Sequence, residues 1–506
     1  MKQEWLNWFK LDKKSIKVFM SLVVMYAFYV LPIILADRYY NDDLGRSISG
    51  GAGWNGDGRP LTEKLLLFLC GGEMIVDISP LPLLLGIVIL GYALTVYARE
   101  NLSEFKSDYV KVFALYLTIT SPFMLTNLSY KYDCVSMLLA LSLAFFVYSM
   151  PRNLPKWLLF VVTFVLSVFS LSMYQPAIGA FLCLALISIL FLLIFSKGNF
   201  IEECVKVLGI GSGCIFYKLV IANIFISKED WRYGASSFLS DISKESLIKI
   251  YNHFEMLVVE SIKEYVVDVP RYILITLIAL WVIASVIMIK QNIENNKEKL
   301  WKIVGSIYIV FLPVFLLLAA VLPLMILETS SRKYRVLISF SILLLYFGIM
   351  ACFLAKKSRI LVVVLLVPYL IFSCTYVYTY GNALDGQKEY EKYLIYHIQH
   401  DIEEINCNRE YNSVCISGTT PYAPQVKKIS SRYGLMDNMI EPYITNTFWL
   451  GGGWMYMYMN EGLGLREPTE SDMEIINSGE SVRSNSLYSC YVNGETIIVR
   501  FNKIDG

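Results

Sequence analysis

Apolar and polar stretches alternate along the chain in long blocks. Eleven apolar runs stand out, at 16–36, 80–98, 109–127, 133–150, 157–174, 176–196, 206–226, 271–290, 303–326, 336–355 and 360–379. Each has the length, about 17–25 residues, that a helix needs to cross a hydrocarbon core. The pattern predicts a mainly α, polytopic membrane protein of about 11 transmembrane helices. The first run is too long for a signal peptide and no small-residue cleavage site follows it, so it reads as an uncleaved anchor. Within 227–270 the stretch SKESLIKIYNHFEMLVVESIKEYV has apolar residues at helical spacing. It predicts a helix lying along the membrane surface. After 379 the long apolar runs stop. The segment 380–506 is expected to be a small α/β domain, with a helix over QKEYEKYLIYHIQHDIEEI and strands in YNSVCISG and ETIIVRF. The expected division is therefore a transmembrane domain, 1–379, with large loops at 37–79 and 227–270, and a C-terminal domain, 380–506.

Composition agrees with this division. The chain is 56% hydrophobic over 506 residues, with a mean hydropathy of +0.52, too apolar for an ordinary soluble domain. A net charge of +1 gives no basic field for nucleic acid. The ten Cys show no CxxC or zinc spacing, and three His (His253, His397, His400) are too few to favour a His-based metal site. No phosphate-binding glycine motif is present, which argues against a nucleotide-driven pump.

Lys and Arg in the short loops set the expected orientation. The N-terminus carries Lys2, Lys10, Lys13, Lys14 and Lys17. Arg99, Lys106, Arg152, Lys156, Lys197, Lys206, Lys290, Lys297, Lys299, Lys302, Lys356, Lys357 and Arg359 fall in alternate loops on the same side. That side is read as cytoplasmic, which puts the C-terminal domain outside. Three cysteines there, Cys407, Cys415 and Cys490, would meet an oxidising compartment, with their pairing open.

The candidate chemistry lies on the opposite, outer side. DRYYNDDLGRSISGGAGWNGDGRPL, residues 37–61, places Asp42 and Asp43 a few residues beyond the first span. Such a pair can take a proton from a hydroxyl, hold a divalent cation, or remain solvated. Arg46 and Arg59 bracket the pair, and Trp54 offers a ring for a sugar. Asp37, Asp57 and Asp77 flank it, so the identity of a base is open. Other outer turns carry Lys131 and Asp133 (KYD), Tyr174 and Gln175 (YQP), and Arg332 and Arg335 (LETSSRKYRV). Cations on the outer side run against the usual bias and suit an anion such as a lipid phosphate. The aromatic stretch FWLGGGWMYMYMNEG, 448–462, reads as packing or as a sugar contact.

Taken together, NDD followed by W…DGRPL, then KYD, YQP and an outer Arg cluster resemble the serotype-converting O-antigen glucosyltransferases of Gram-negative bacteria and their phages. The resemblance covers about residues 1–380. It implies a membrane hexosyltransferase of GT-C type that moves glucose from undecaprenyl-phosphate-glucose to O-antigen repeat units of lipopolysaccharide. The implied partners are that donor, the polysaccharide acceptor and the bilayer, with no nucleic acid and no required cofactor, although a divalent metal at Asp42/Asp43 stays open. Asp42 and Asp43 match the family's catalytic acidic pair and Arg59 its basic residue. Arg332, Arg335, Lys131 and Arg59 are the expected donor-phosphate residues. Arg46, Trp54, Asp133, Tyr174 and Gln175 are the expected substrate contacts. The alternatives are an O-antigen polymerase or ligase, which typically relies on a large late loop, and a transporter, which places charges at mid-membrane.

Overall fold

The computed structural model describes residues 8–151, 154–195, 199–235, 237–239, 241, 243–445, 452–459 and 462–502. The chain is mainly helical. Among the described residues, nine helices are long and apolar enough to cross a membrane: Lys13–Ala36, Leu81–Asn101, Lys156–Met173, Gln175–Phe195, Phe200–Phe225, Arg271–Asn295, Lys299–Met325, Tyr334–Ala355 and Arg359–Ile405.

Two of the eleven expected spans differ. The run 109–127 is broken into a helix Asp108–Tyr116, a 3-10 turn Leu117–Thr120 and a short helix Met124–Ser129. The break falls at Ser121, which is extended before Pro122. Proline has no N–H for the ladder and pushes its predecessor out of the helical region. The run 133–150 forms a helix of only 14 residues, Cys134–Val147, buried on nearly all sides. Protein surrounds it, so it is released from the length that lipid demands.

The last span does not stop at 379. It continues as one helix of 47 residues, Arg359–Ile405, about 70 Å long at 1.5 Å per residue. The helix predicted over 387–405 is therefore the upper part of the last span. Its middle is pressed against the first span. A Cβ built at Gly381 would stand 2.6 Å from the carbonyl oxygen of Pro32, so glycine is what permits that approach.

The predicted strands are present. β1 (Ser413–Ser417), β2 (Gly464–Arg466), β3 (Arg483–Ser484), β4 (Tyr488–Asn493) and β5 (Thr496–Phe501) form one sheet in the order β2-β1-β5-β4-β3. β1 pairs parallel with β2 and β5, and β4 pairs antiparallel with β3 and β5. The sheet packs on the upper part of the long helix through Leu394, Ile395, Ile398 and Ile402. Met455 and Tyr456, from the aromatic stretch, are buried in the same core, whereas residues 448–451, 460 and 461 of that stretch lie outside the described residues. No disulfide forms. Cys407 is exposed while Cys415 is buried. Cys415 and Cys490 lie on β1 and β4 with β5 between them, roughly 9–10 Å apart at two strand spacings, beyond the reach of a disulfide.

The helix predicted between 227 and 270 is also present, as Lys244–Phe254, a π-helical turn Glu255–Glu260 and Ser261–Asp268. Its end is tied to the C-terminal part. Asp268 accepts the backbone N–H groups of Gly434 and Leu435 at 2.8 and 3.2 Å and the Tyr376 hydroxyl at 3.0 Å.

Candidate active site

The first span ends in a left-handed residue, Asp37 at φ 44°, and the chain turns again at Asn41, φ 56°. These reversals fold the opening loop back over the end of the bundle. A helix of seven residues, Asp43–Ser49, follows. Its Leu44 is buried in the core of the C-terminal sheet, so the acidic pair is anchored on one side by that sheet. On the other side Trp54 is anchored among Leu66, Ile75, Tyr132 and Val135.

The two aspartates occupy different environments. Asp43 is fully buried. Its Oδ2 accepts the backbone N–H of Lys131 at 2.7 Å and that of Tyr40 at 3.3 Å, while Oδ1 is buried without a partner. Burial, reinforced by the charges of Asp42 and Asp133, pushes the Asp43 carboxyl well above the usual range. Asp42 has a side chain 43% exposed and an ion pair with Arg46 at 2.7 Å. Burial pushes its carboxyl up, but Arg46 and Arg335 more than offset that and hold it below the usual range. Asp42 is therefore an ionised, reachable carboxylate, and Asp43 is a buried carboxyl that fixes two loops.

From Asp42 a polar network runs through the expected substrate residues. The Arg46 guanidinium lies 4.0 Å from the Trp54 ring centroid. Trp54 Nε1 donates to Asp133 Oδ1 at 2.7 Å, and Arg59 Nη1 reaches Asp133 Oδ2 at 3.3 Å. Arg59 Nε donates to Gln175 Oε1 at 3.2 Å and its guanidinium stands 5.0 Å from the Tyr174 ring. Gln175 Nε2 donates to the Asp57 carbonyl at 2.9 Å and to the Tyr217 hydroxyl at 2.8 Å. Gly58, φ 72°, makes room for this: a Cβ there would meet the Tyr217 hydroxyl at 2.5 Å. Tyr174 donates to the Arg335 carbonyl at 2.7 Å, and Arg335 Nη1 donates to the Tyr130 hydroxyl, which also receives Asn41 Nδ2 at 3.1 Å.

Asp42, Asp43, Arg46, Arg59, Trp54, Asp133, Tyr174, Gln175 and Arg335 thus converge. Trp54, expected as a platform for sugar, is instead fully buried with its ring covered by Arg46; it holds Asp133 and Arg46 in place. Two expected phosphate residues, like Arg59, carry carboxylate partners, and their side chains lie apart from the network. Lys131 Nζ pairs with Asp37 at 2.6 Å and Asp77 at 3.2 Å. Arg332 pairs with Glu260 at 3.0 Å and with Glu264. The spacing of charges along a chain shows where cations are, not which carboxylates the fold brings to them. Sequence reasoning passed over Asn41, Tyr130 and Tyr217. The first two lie inside the quoted NDD and KYD neighbourhoods, and Tyr217 sits beside Lys218, a charge in an apolar run.

Two cavities flank the network. A polar one of about 160 Å³ is lined by Tyr40, Asn41, Tyr130, Arg335 and, from the C-terminal part, Asn438 and Glu441. An apolar groove of about 540 Å³ runs between the helices Lys156–Met173, Phe200–Phe225 and Lys299–Met325, with Asp57, Arg59 and Gln175 at its head. Among the described residues no three His, Cys, Asp or Glu side chains gather as metal ligands would.

The family model described as Glucosyl transferase GtrII matches residues 31–387, a span that includes every residue of the network from Asp42 to Arg335. An uncharacterized 55.3 kDa protein from the gtrB 5′ region of Salmonella phage P22 is 28% identical over 501 residues, covering 97% of this chain and 99% of its own. No solved structure matches the chain. With most of its length under the family model and its polar end built from that same segment, the chain belongs to the GtrII glucosyl transferase family.

Proposed function

We propose that this membrane protein transfers glucose from undecaprenyl-phosphate-glucose to O-antigen repeat units of lipopolysaccharide at the periplasmic face of the bacterial inner membrane, as a GT-C-type enzyme. One observation carries the reading: Asp42, an ionised and half-exposed carboxylate, stands at the head of a network that joins a polar cavity to an apolar groove. A sugar acceptor suits the first and a lipid-linked donor the second. The family description supports glucose as the sugar moved, and the resemblance carried by NDD, KYD and YQP suggests the lipopolysaccharide context.

The reaction is a single displacement. Asp42 takes the proton of the acceptor hydroxyl as its oxygen attacks the anomeric carbon. The bond from that carbon to the phosphate oxygen breaks, its electron pair leaves with the polyprenyl phosphate, and the anomeric configuration inverts. A base in this role contributes about 10²–10⁴-fold. Arg59, held by Asp133 and Gln175, supplies a prepositioned cation for the charge that grows on the phosphate. Asp43 positions the base by pinning the backbone at Tyr40 and Lys131.

The test is transfer in detergent. Purified protein is given radiolabelled undecaprenyl-phosphate-glucose and O-antigen polysaccharide. Label moves to polysaccharide with wild type and not with folded Asp42→Asn. Equal transfer by the two would refute the assignment of the base. Transfer without a membrane barrier also separates an enzyme from a transporter.

A further inference from the structure

Lys218 is a charged residue inside an apolar helix. The helix Phe200–Phe216 passes into a π-helical turn, Tyr217–Ala222, before ending at Phe225. A π-turn inside a helix is frequently found at functional sites, and an ionisable residue within a span usually faces a cavity it serves. Both features fall on the wall of the apolar groove. Lys218 lines it, as do Arg59 from the opening loop and Arg232 from the helix Trp231–Ala235.

Below this head the groove is lined by Leu171, Leu182, Ile210, Leu322 and other apolar side chains. Among the groove-lining residues described there are three cations, Arg59, Lys218 and Arg232, and a single carboxylate, Asp57. Arg232 is held by Asp57 at 3.2 Å and Asp230 at 3.1 Å. Lys218 Nζ stands 5.3 Å from the Tyr233 ring and 5.9 Å from the Phe238 ring. Arg59 in turn is paired with Asp133 at 3.3 Å, so carboxylates hold two of the three cations in place at the head. An apolar trough that ends in such prepositioned cations suits an amphiphile whose head is one anionic group. The head also communicates with the base. Asp57 lies 3.2 Å from Arg232 and 4.0 Å from Arg46, and Arg46 is paired with Asp42.

We propose that Lys218 and Arg232, with Arg59, form the phosphate clamp for a polyprenyl phosphate whose chain occupies this groove. The clamp is assigned to these three because they line the groove, whereas Arg332 lines the polar cavity and Lys131 is paired with Asp37 and Asp77. The proposal rests on the lipid-linked donor reading above, and it can be tested without turnover.

The probe is radiolabelled undecaprenyl phosphate, which carries no sugar. Saturable binding to the full chain in detergent is measured for wild type, Lys218→Met, Arg232→Gln and Lys218→Arg. Competition uses unlabelled undecaprenyl phosphate, uncharged undecaprenol and phosphatidylglycerol. Wild type is expected to bind saturably, with displacement by the phosphate and not by undecaprenol or phosphatidylglycerol. Lys218→Met and Arg232→Gln are each expected to weaken binding about tenfold or more, the scale of one hydrogen bond to a charged group, and Lys218→Arg to retain most of it. In transfer assays the same substitutions raise the donor KM more than they lower kcat. Arg232 is partly exposed, so Arg232→Gln keeps the test alive if Lys218→Met does not fold. Unchanged affinity in folded variants overturns the clamp and leaves the transferase reading standing. Displacement by phosphatidylglycerol reassigns the site to a bilayer phospholipid and overturns the proposal. Saturable binding by a wild type that transfers no sugar leaves the clamp intact and removes the transferase reading.

Discussion

Replacing Glu391 by Met removes one half of a buried ion pair. Arg38, immediately after the first span, places Nη2 at 3.2 and 3.0 Å from the two oxygens of Glu391 in the long helix, and at 2.6 Å from the Glu441 carbonyl. Their side chains are 2% and 1% exposed. Glu391 also accepts the Tyr443 N–H at 2.7 Å and Gln387 Nε2 at 3.2 Å. Glu391→Met therefore strands a buried guanidinium and costs about 3–5 kcal/mol. Arg38→Met falls at the lower end of that range, because Glu391 keeps its two other donors. The double variant is expected to cost much less than the sum. Arg38 Nε and Nη1 are buried without partners, so the pair never fully recovers its desolvation, and the main residue is the stranded Tyr443 N–H, about 1–3 kcal/mol. Unfolding in mixed micelles of rising SDS fraction measures all three. Single-variant costs below about 1 kcal/mol, or additivity within about 0.5 kcal/mol, would refute the view that this pair clamps the opening loop to the C-terminal part.

Four further outcomes are expected. The transfer rate should stay level from neutral pH down to about pH 5, because Asp42 is held below the usual carboxylate range; an acid limb well above that range would make the buried, raised Asp43 the base instead. Asp43 is protonated more readily folded than unfolded, so its share of stability is complete below about pH 4 and is lost as pH rises through its folded value. Thermal melts of Asp43→Asn should lack that component, and identical pH profiles would count against it. Gly381→Ala should cost about 1–3 kcal/mol by pushing the long helix off Pro32, read in the same SDS titration. EDTA should leave transfer unchanged, since Arg46 already engages Asp42; full loss, restored by a divalent cation, would place a metal at the acidic pair.

Most of the helices were legible because a bilayer imposes one demand, length of apolar chain, that a sequence states directly. Where protein rather than lipid surrounds a segment, that demand lapses. Cys134–Val147 is short for that reason, and the run 109–127 tolerates Pro122 inside it. The polarity change near 380 falls inside one continuous helix, Arg359–Ile405, which a hydropathy pattern alone does not reveal. The candidate site was legible as polar turns, since nothing apolar explains NDD, KYD and YQP at the ends of spans. The partners were not. Trp54 looks like an exposed ring in a glycine-rich loop until Leu66 and Tyr132 close over it. Arg38 and Glu391 are single charges 353 positions apart, and no local pattern connects them.

The unbroken helix Arg359–Ile405 constrains how this enzyme can exchange parts with its relatives. A graft of a foreign C-terminal sheet must be spliced into a rod, not into a flexible joint. One residue inserted near 380 would rotate everything beyond it by about 100° and lift it by about 1.5 Å. Glu391 would then swing away from Arg38, and the surface that receives Leu44 would turn out of reach. Seven residues are the shortest insertion that returns the phase within about 20°, but they lift the upper part by about 10 Å, so Glu391 would still leave Arg38. Changes in the C-terminal part of this scaffold are therefore expected to arise by substitution, and not by lengthening the rod at the seam.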